Sequence, residues 1–405
     1  MSDSDVVDVT RTPVQGGADH YESTLRHRPR GPHDGGPEMI QMLDPEGQRV
    51  DMGGAGEYAH HVDALTPDEL RGFYRDLVLL RRFDLEATAL QRQGELGLWV
   101  SLLGQEASQI GCGRAMRRQD HAFPGYREHG IAWCRGLDPM RLIAMYRGVD
   151  RCAWDPEEFG LHTYTVVIGN QVLLGTGYAM GVQRDGAVGT GDPDRDTAVV
   201  AFMGDGATAQ GDVNEGFVFA GVNDSPIVFF CQNNQWAISE PNERQMRSPI
   251  YKRADGFGFP GVRVDGNDVL ATYAVTKELL DRARAGQGPA LIEAFTYRMA
   301  AHTTSDDPTK YRFSAEVEMW KLRDPIARFK TWLAHEGIAD HTYFAQIDAE
   351  ADALAAQVRE ATITMPDPPM GEIFDHVYVE PHRQVEDDRA FLAAYLDSFV
   401  DEEVA

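Results

Sequence analysis

An acid and an amide stand where two apolar runs end. In "AVVAFMGDG" the run from Ala198 to Met203 stops at Gly204-Asp205-Gly206, and after 26 further residues "IVFFCQNN" stops at Asn233-Asn234. In a parallel sheet, a strand, a helical crossover and a second strand bring both strand ends to the same edge, where open α/β sheets bind ligands. Neighbouring strands lie about 4.8 Å apart, so side-chain oxygens of Asp205 and Asn234 can reach one ion. Oxygen ligands with a single carboxylate suit Mg²⁺, which commonly completes its shell with phosphate oxygens. Gly204 and Gly206 allow unusual backbone angles and close approach. The N–H groups of Gly206 and Ala207, expected to begin the helix, can then meet a phosphate. The chemistry implied is a diphosphate bridged to protein by a divalent cation.

The elements needed to hold such a site are visible around it. "LTPDELRGFYRDLVLLRRFDLEATALQRQG" carries Thr66 as an N-cap, Pro67 at the first helical position and an acidic first turn, which predicts a long amphipathic helix. Beyond Gln119, short apolar segments alternate with helical stretches: "HAFPGYREHG", "TYTVVIGNQ", "DTAVVAFMGDG", "SPIVFFCQNN" and "PALIEAFTYRM". This rhythm predicts an α/β domain with a mostly parallel sheet flanked by helices. From about residue 317 the pattern is helical, ending in the acidic "DDRAFLAAYLDSFVDEEV". Residues 1–37 are rich in Gly, Pro and charge and are expected to be a disordered N-terminal arm; 38–400 form the domain, with 38 to about 62 extended across its surface.

Composition narrows the function classes. With 405 residues, 42% of them hydrophobic, the chain can bury a large core. A formal charge of -26, from 38 basic and 64 acidic residues, argues against nucleic acid and anionic membrane as partners. Cys112, Cys134, Cys152 and Cys231 form no Cys-x-x-Cys pair and read as reduced thiols. No apolar run approaches the roughly 20 residues of a membrane span, and Asp3, Asp5 and Asp8 oppose a signal peptide, so a cytoplasmic protein is expected. Neither a phosphate-binding Gly-x-x-x-x-Gly-Lys-[Ser/Thr] loop nor a dinucleotide fingerprint after a strand is present.

The spacing from Gly204-Asp205-Gly206 to Asn233-Asn234 resembles the thiamine diphosphate motif, and "NNQWAIS" resembles the alpha subunit of the dehydrogenase (first) component of 2-oxo acid dehydrogenase complexes. "GQEASQIG", "FPGYREHG", "GFGFPGVRVDGNDV", "LIEAFTYRMAAHTTSDDPTKYR" and "PDPPMGEIFDHVY" follow that family in order, over roughly residues 38–400. The resemblance implies a thiamine diphosphate-binding fold. It implies thiamine diphosphate and Mg²⁺ as cofactors, with Asp205, Asn234 and the backbone carbonyl of Trp236 on the metal. Tyr126 and Arg127 would bind the diphosphate, and a guanidinium making paired charge-assisted hydrogen bonds suits that task. Val166 and Ile168 would serve the aminopyrimidine, one by backbone hydrogen bonding and the other as an apolar wedge. His302 would be the active-site histidine, beside the diphosphate and assisting acyl transfer to a lipoyl group, in a loop ordered by Ser305 to Asp307.

The family's animal branched-chain members carry Gln where Gly125 stands and Arg where Gln232 stands. A single cofactor-binding module is visible, so the glutamate that activates the cofactor is expected from a separate beta subunit, in a heterotetramer of two alpha and two beta chains; Glu106 is the internal rival. The further partners implied are a lipoyl-bearing acyltransferase and a small 2-oxo acid, either branched-chain or pyruvate. A reading of a different class is a non-catalytic Mg- or nucleotide-binding scaffold.

Overall fold

Residues 199–203 and 227–233 are buried along their whole length, as expected for strands covered on both faces of a parallel sheet. The computed structural model describes residues 38–150 and 154–399; the N-terminal arm expected over 1–37, and Cys152, lie outside them. Five strands form the central sheet: β1 (His121–Phe123), β2 (Val199–Gly204), β3 (Ile227–Asn233), β4 (Gly261–Asp265) and β5 (Ala290–Phe295). Their spatial order is β1-β2-β3-β5-β4, and every neighbouring pair is parallel.

The principal helices are α1 (Pro67–Arg92), α2 (Glu106–Ala115), α3 (Asn170–Arg184), α4 (Gly211–Val222), α5 (Val269–Arg284), α6 (Pro325–His335), α7 (His341–Thr364) and α8 (Arg383–Asp397). Strand alternation divides the core. Val199, Ala201 and Met203 of β2 face Val172, Val213 and Phe217 of α3 and α4, while Val200 and Phe202 join the larger cluster that includes α1, α2 and α5. α1 begins with the capping box that Thr66 promised: Glu69 N–H donates to Thr66 Oγ1, and Thr66 N–H donates to Glu69 Oε2 at 2.8 Å. α2 and α5 pack closely because Gly111 carries no side chain; a Cβ there would lie 2.8 Å from Thr272 Cβ.

Three segments differ from expectation. "TYTVVIGNQ" forms no strand: the bridge to the sheet is made by Leu161 just before it, to Ala122, and Val166, Val167 and Ile168 stand exposed in coil. Apolar β-branched residues there satisfy strand propensity without a neighbouring edge to pair with. Conversely "GVRVD", with Arg263 in its middle, is β4. The segment from residue 38 enters the core at its start, where residues 39–43 are buried, Ile40 bridges Val264 beside β4 and Gln41–Leu43 pairs antiparallel with Arg49–Met52; residues 48–54 beyond it are largely exposed. The C-terminal region is helical as expected. No described helix is long and apolar enough to cross a membrane, and Cys112, Cys134 and Cys231 are free thiols.

Candidate active site

β2 and β3 run in register, with Gly204 opposite Gln232, so the residues that follow emerge side by side at the carboxyl edge of the sheet. There they line one wall of an open cleft with about 820 Å³ of empty space up to and including its solvent-filled mouth, to which Gly204, Asp205, Gly206, Ala207, Asn234 and Trp236 all contribute. Gly206 and Ala207 do not begin the crossover helix. They sit in a 3-10 turn, Asp205–Ala209, that precedes α4. Gly204 is extended at φ -85 rather than left-handed, so its contribution is space: nothing lies within 4 Å of where its Cβ would be. Strain is instead found in the loop after β3, where Gln235 and Ile238 hold positive φ of 71 and 55.

Asp205 is buried without any ion pair among the described residues. The side-chain amides of Asn242 and Gln245 each donate to its Oδ2 at 2.9 Å. Burial pushes its carboxyl up to about 6, against the weaker stabilisation of those hydrogen bonds. Asn234 is buried beside it, its Oδ1 accepting from Trp236 N–H at 3.2 Å and its amide donating to Gln105 Oε1 at 3.1 Å. One buried carboxylate lacking a cation, next to amide and carbonyl oxygens, fits a hard divalent ion. The Trp236 carbonyl already accepts from Arg298 Nη1 at 2.9 Å, which leaves it one lone pair.

The opposite wall is cationic. Arg127 is buried, donating to the carbonyls of Ser101 and His302, the latter at 2.9 Å. Arg298, fully buried, donates to the carbonyls of Trp236 and Ile238 and to Tyr311 Oη. Both guanidiniums reach His302 Nδ1 at 3.3 Å, and neither makes an ion pair with a carboxylate among the described residues. Since a guanidinium only donates, Nδ1 must accept and the imidazole proton sits on Nε2. Burial and the two neighbouring cations hold the His302 imidazole down at about 3, and burial with Arg127 holds Arg298 down at about 10. Asp306 orders the loop by accepting from His302 N–H at 2.8 Å and from Tyr311 Oη–H. In the cofactor-free chain, imidazole nitrogen NMR should therefore show His302 neutral, as the Nε2–H tautomer, throughout the range from about pH 8 down to about pH 5.

The buried Arg127, a neutral N–H donor at His302 and the unpartnered Gln105 Nε2 border one cleft, with Arg298 directly behind His302, and together they fit a bound anion with several oxygens. Tyr126 lines the same wall, its ring 6.0 Å from that of His302. Ile168 borders the cleft, while Val166, 76% exposed, stands in the adjoining coil and does not line it. Arg298, Gln105 and Glu128 escaped the reading of the sequence. Arg298 could have been found from its place three residues beyond the end of β5, on the same sheet edge as Asp205. Glu106, by contrast, is fully buried away from the cleft, bonded to Arg81 Nε at 2.8 Å and to Gly104 N–H at 3.0 Å.

A family model for the dehydrogenase E1 component matches residues 74–372. The chain belongs to the dehydrogenase E1 family. Similar proteins include the 3-methyl-2-oxobutanoate dehydrogenase subunit alpha of Mycobacterium tuberculosis, 43% identical over 344 residues that cover 85% of this chain and 90% of the relative. The pyruvate dehydrogenase E1 component subunit alpha of Acholeplasma laidlawii is 37% identical over 82% of this chain and 95% of its own length; that of Staphylococcus aureus is 35% identical over 81% and 85%. As an E1 protein, this chain is an oxidoreductase of the 2-oxo acid dehydrogenase class, not a non-catalytic scaffold, and its family depends on thiamine diphosphate.

The two departures noted in the sequence meet at one residue of this E1 chain. Gln232 Nε2 donates to Glu128 Oε1 at 2.6 Å, and a Cβ on Gly125 would lie 3.0 Å from Glu128 Oε2. Burial raises the Glu128 carboxyl above the usual carboxylate range. A neutral amide at position 232 leaves Arg127 as the guanidinium among the residues that line the cleft, with Arg298 behind His302.

Proposed function

We propose that this chain is the alpha subunit of a branched-chain 2-oxo acid dehydrogenase, working with a separate beta subunit to decarboxylate its substrate oxidatively and pass the acyl group to a lipoyl arm. The observation that carries the reading is the polarity of the cleft: the uncompensated Asp205 carboxylate and the uncompensated Arg127 guanidinium both line it, and Arg298 stands behind, sharing the His302 imidazole with Arg127. A diphosphate carrying Mg²⁺ offers each wall its opposite charge. Asp205 and Asn234 would hold the metal through side-chain oxygens, with the remaining lone pair of the Trp236 carbonyl. Arg127, Tyr126 and His302 Nε2–H would hold the diphosphate, with Arg298 adding its charge from behind His302, Gln105 Nε2 as a further donor and the N–H groups of Gly206 and Ala207 near it. Ile168 would press on the cofactor's middle, and the backbone of Val166 would reach its pyrimidine from the coil at the rim.

Thiamine diphosphate, when bound, supplies the electron sink that decarboxylation of a 2-oxo acid requires. The chain's own residues orient it and neutralise its phosphates. His302 stays uncharged in the free site because it is buried with two guanidiniums facing it, which keeps its Nε2 proton available as a hydrogen-bond donor at the cleft. The Arg127 and Arg298 contacts at Nδ1 fix its ring in that direction, while Asp306 holds its backbone N–H. Resident in the cytoplasm, the complex would draw on small 2-oxo acids there.

The substrate class follows the mycobacterial relative. With a beta subunit, thiamine diphosphate, Mg²⁺ and a dye acceptor, kcat/KM for 3-methyl-2-oxobutanoate should exceed that for pyruvate by at least about tenfold. A preference for pyruvate would overturn the substrate assignment while leaving the cofactor residues in place.

A further inference from the structure

A second constellation lies on the flank of α5, and none of its residues lines the cleft. His60 and His61 are consecutive in the short helix Ala59–Asp63, their ring centroids 3.9 Å apart. Both present Nε2 to the same atom, Glu278 Oε2, at 4.0 Å for His60 and 2.9 Å for His61. His60 Nδ1 lies 3.2 Å from the carbonyl oxygen of Glu57. That contact requires a proton on Nδ1, so a neutral His60 directs an Nε2 lone pair at a carboxylate. Two acceptors facing each other are relieved by a cation between them, either a second proton on His60 or a metal ion.

We propose that His60, His61 and Glu278 bind a divalent transition-metal ion of the zinc class. Zinc takes imidazole nitrogen at about 2.0–2.1 Å, and a tetrahedral site then separates its donor atoms by about 3.3 Å. The observed 2.9 and 4.0 Å bracket that separation, and all three ligand atoms lie within 4.8 Å of one another. Two imidazoles select against Mg²⁺ and Ca²⁺, which prefer all-oxygen shells. The Glu57 carbonyl is the outer partner that a metal-bound imidazole commonly has, since it fixes the tautomer. Water fills the fourth position.

The ion would fasten a segment of the chain whose other end is already tied. Near its start, Met42 and Leu43 N–H donate to Asp268 Oδ2 at 2.7 and 2.6 Å, and Asp268 caps α5. Glu278 lies further along the same helix, so the metal clips the end of the 39–63 segment to α5. This inference is independent of the reaction and of its substrate.

The test is calorimetric titration of Zn²⁺ into the tag-free full chain in complex with its beta subunit, with millimolar Mg²⁺ present to occupy oxygen sites. One ion per alpha chain is expected, with Glu278→Gln and His60→Ala each weakening binding by more than about tenfold. Co²⁺ should give the visible absorption of a four-coordinate site in the wild type and not in His60→Ala. The His60 side chain is 63% exposed, so that variant retains the fold even if His61→Ala does not. Absence of saturable binding, or equal binding by wild type and His60→Ala, overturns the proposal.

Discussion

Purified alone, this chain is expected to release no carbon dioxide from any 2-oxo acid above background; addition of a beta subunit should raise turnover by at least about a thousandfold. Proton transfer by a placed group contributes about 10²–10⁴ in rate, and closing a site against water adds to it. The alpha chain has neither feature by itself. Of the carboxyl groups that line the cleft, Asp205 is engaged by two amides and Glu128 by Gln232, while Glu106, away from it, is committed to Arg81 and Gly104. The rim is also unfinished: Val166 and Val167 are 76% and 70% exposed, and Leu174, Val218, Phe219 and Val222 on α3 and α4 are exposed as well. Apolar residues gathered in this way mark a surface that another protein covers. Carbon dioxide release and dye reduction, measured with and without the second subunit, decide it. Activity of the single chain would make Glu128, which borders the cleft with a raised carboxyl, the activating acid in place of a partner's residue.

The site was legible in the sequence where local pattern and sheet topology suffice. Two apolar runs ending in Asp205 and Asn234 placed both at one sheet edge, and the register of β2 with β3 puts them there. Tyr126, Arg127 and His302 came from resemblance, and all three border the same cleft. Arg298 was not legible, because its meaning depends on lying 3.3 Å from the same imidazole nitrogen as Arg127, 171 positions earlier in the chain. Gln105 was hidden for the same reason: an amide acquires significance only when one of its donors is buried with no acceptor. The glycines of Gly-Asp-Gly looked like residues chosen for unusual angles, yet the strained backbone falls on Gln235 and Ile238, which no composition rule marks. "TVVIGN" has the composition of a strand but no edge to pair with, since β1 continues to β2 on one side and meets only Leu161 on the other.

Replacing Asp205 by asparagine should make the cofactor-free chain more stable and the enzyme inactive. The folded chain holds this carboxyl at about 6, whereas an unfolded chain returns it to about 3.9, so the folded state binds the proton more tightly. Stability therefore falls as pH rises from about 4 to about 6, and the loss persists above that range at about 3 kcal/mol. The amide of the Asp205→Asn variant cannot ionise, and its carbonyl can still accept from the Asn242 and Gln245 amides. Urea unfolding without cofactor should show variant and wild type nearly equal at about pH 4, with the variant ahead by up to about 3 kcal/mol at about pH 7.5. Thiamine diphosphate with Mg²⁺ should close most of that gap, by about 2.3 kcal/mol. At about a hundred times its dissociation constant a ligand stabilises by about 2.7 kcal/mol, and a variant whose affinity has dropped about a hundredfold gains only about 0.4 kcal/mol. Equal stabilities at both pH values would mean that the carboxylate is solvated. Equal cofactor stabilisation of the two chains would mean that the ion is held elsewhere. Either result separates the two roles of Asp205, as a cost to the empty fold and as the charge that makes the occupied site bind, which in this reading are the same buried oxygen atoms seen without and with their cation.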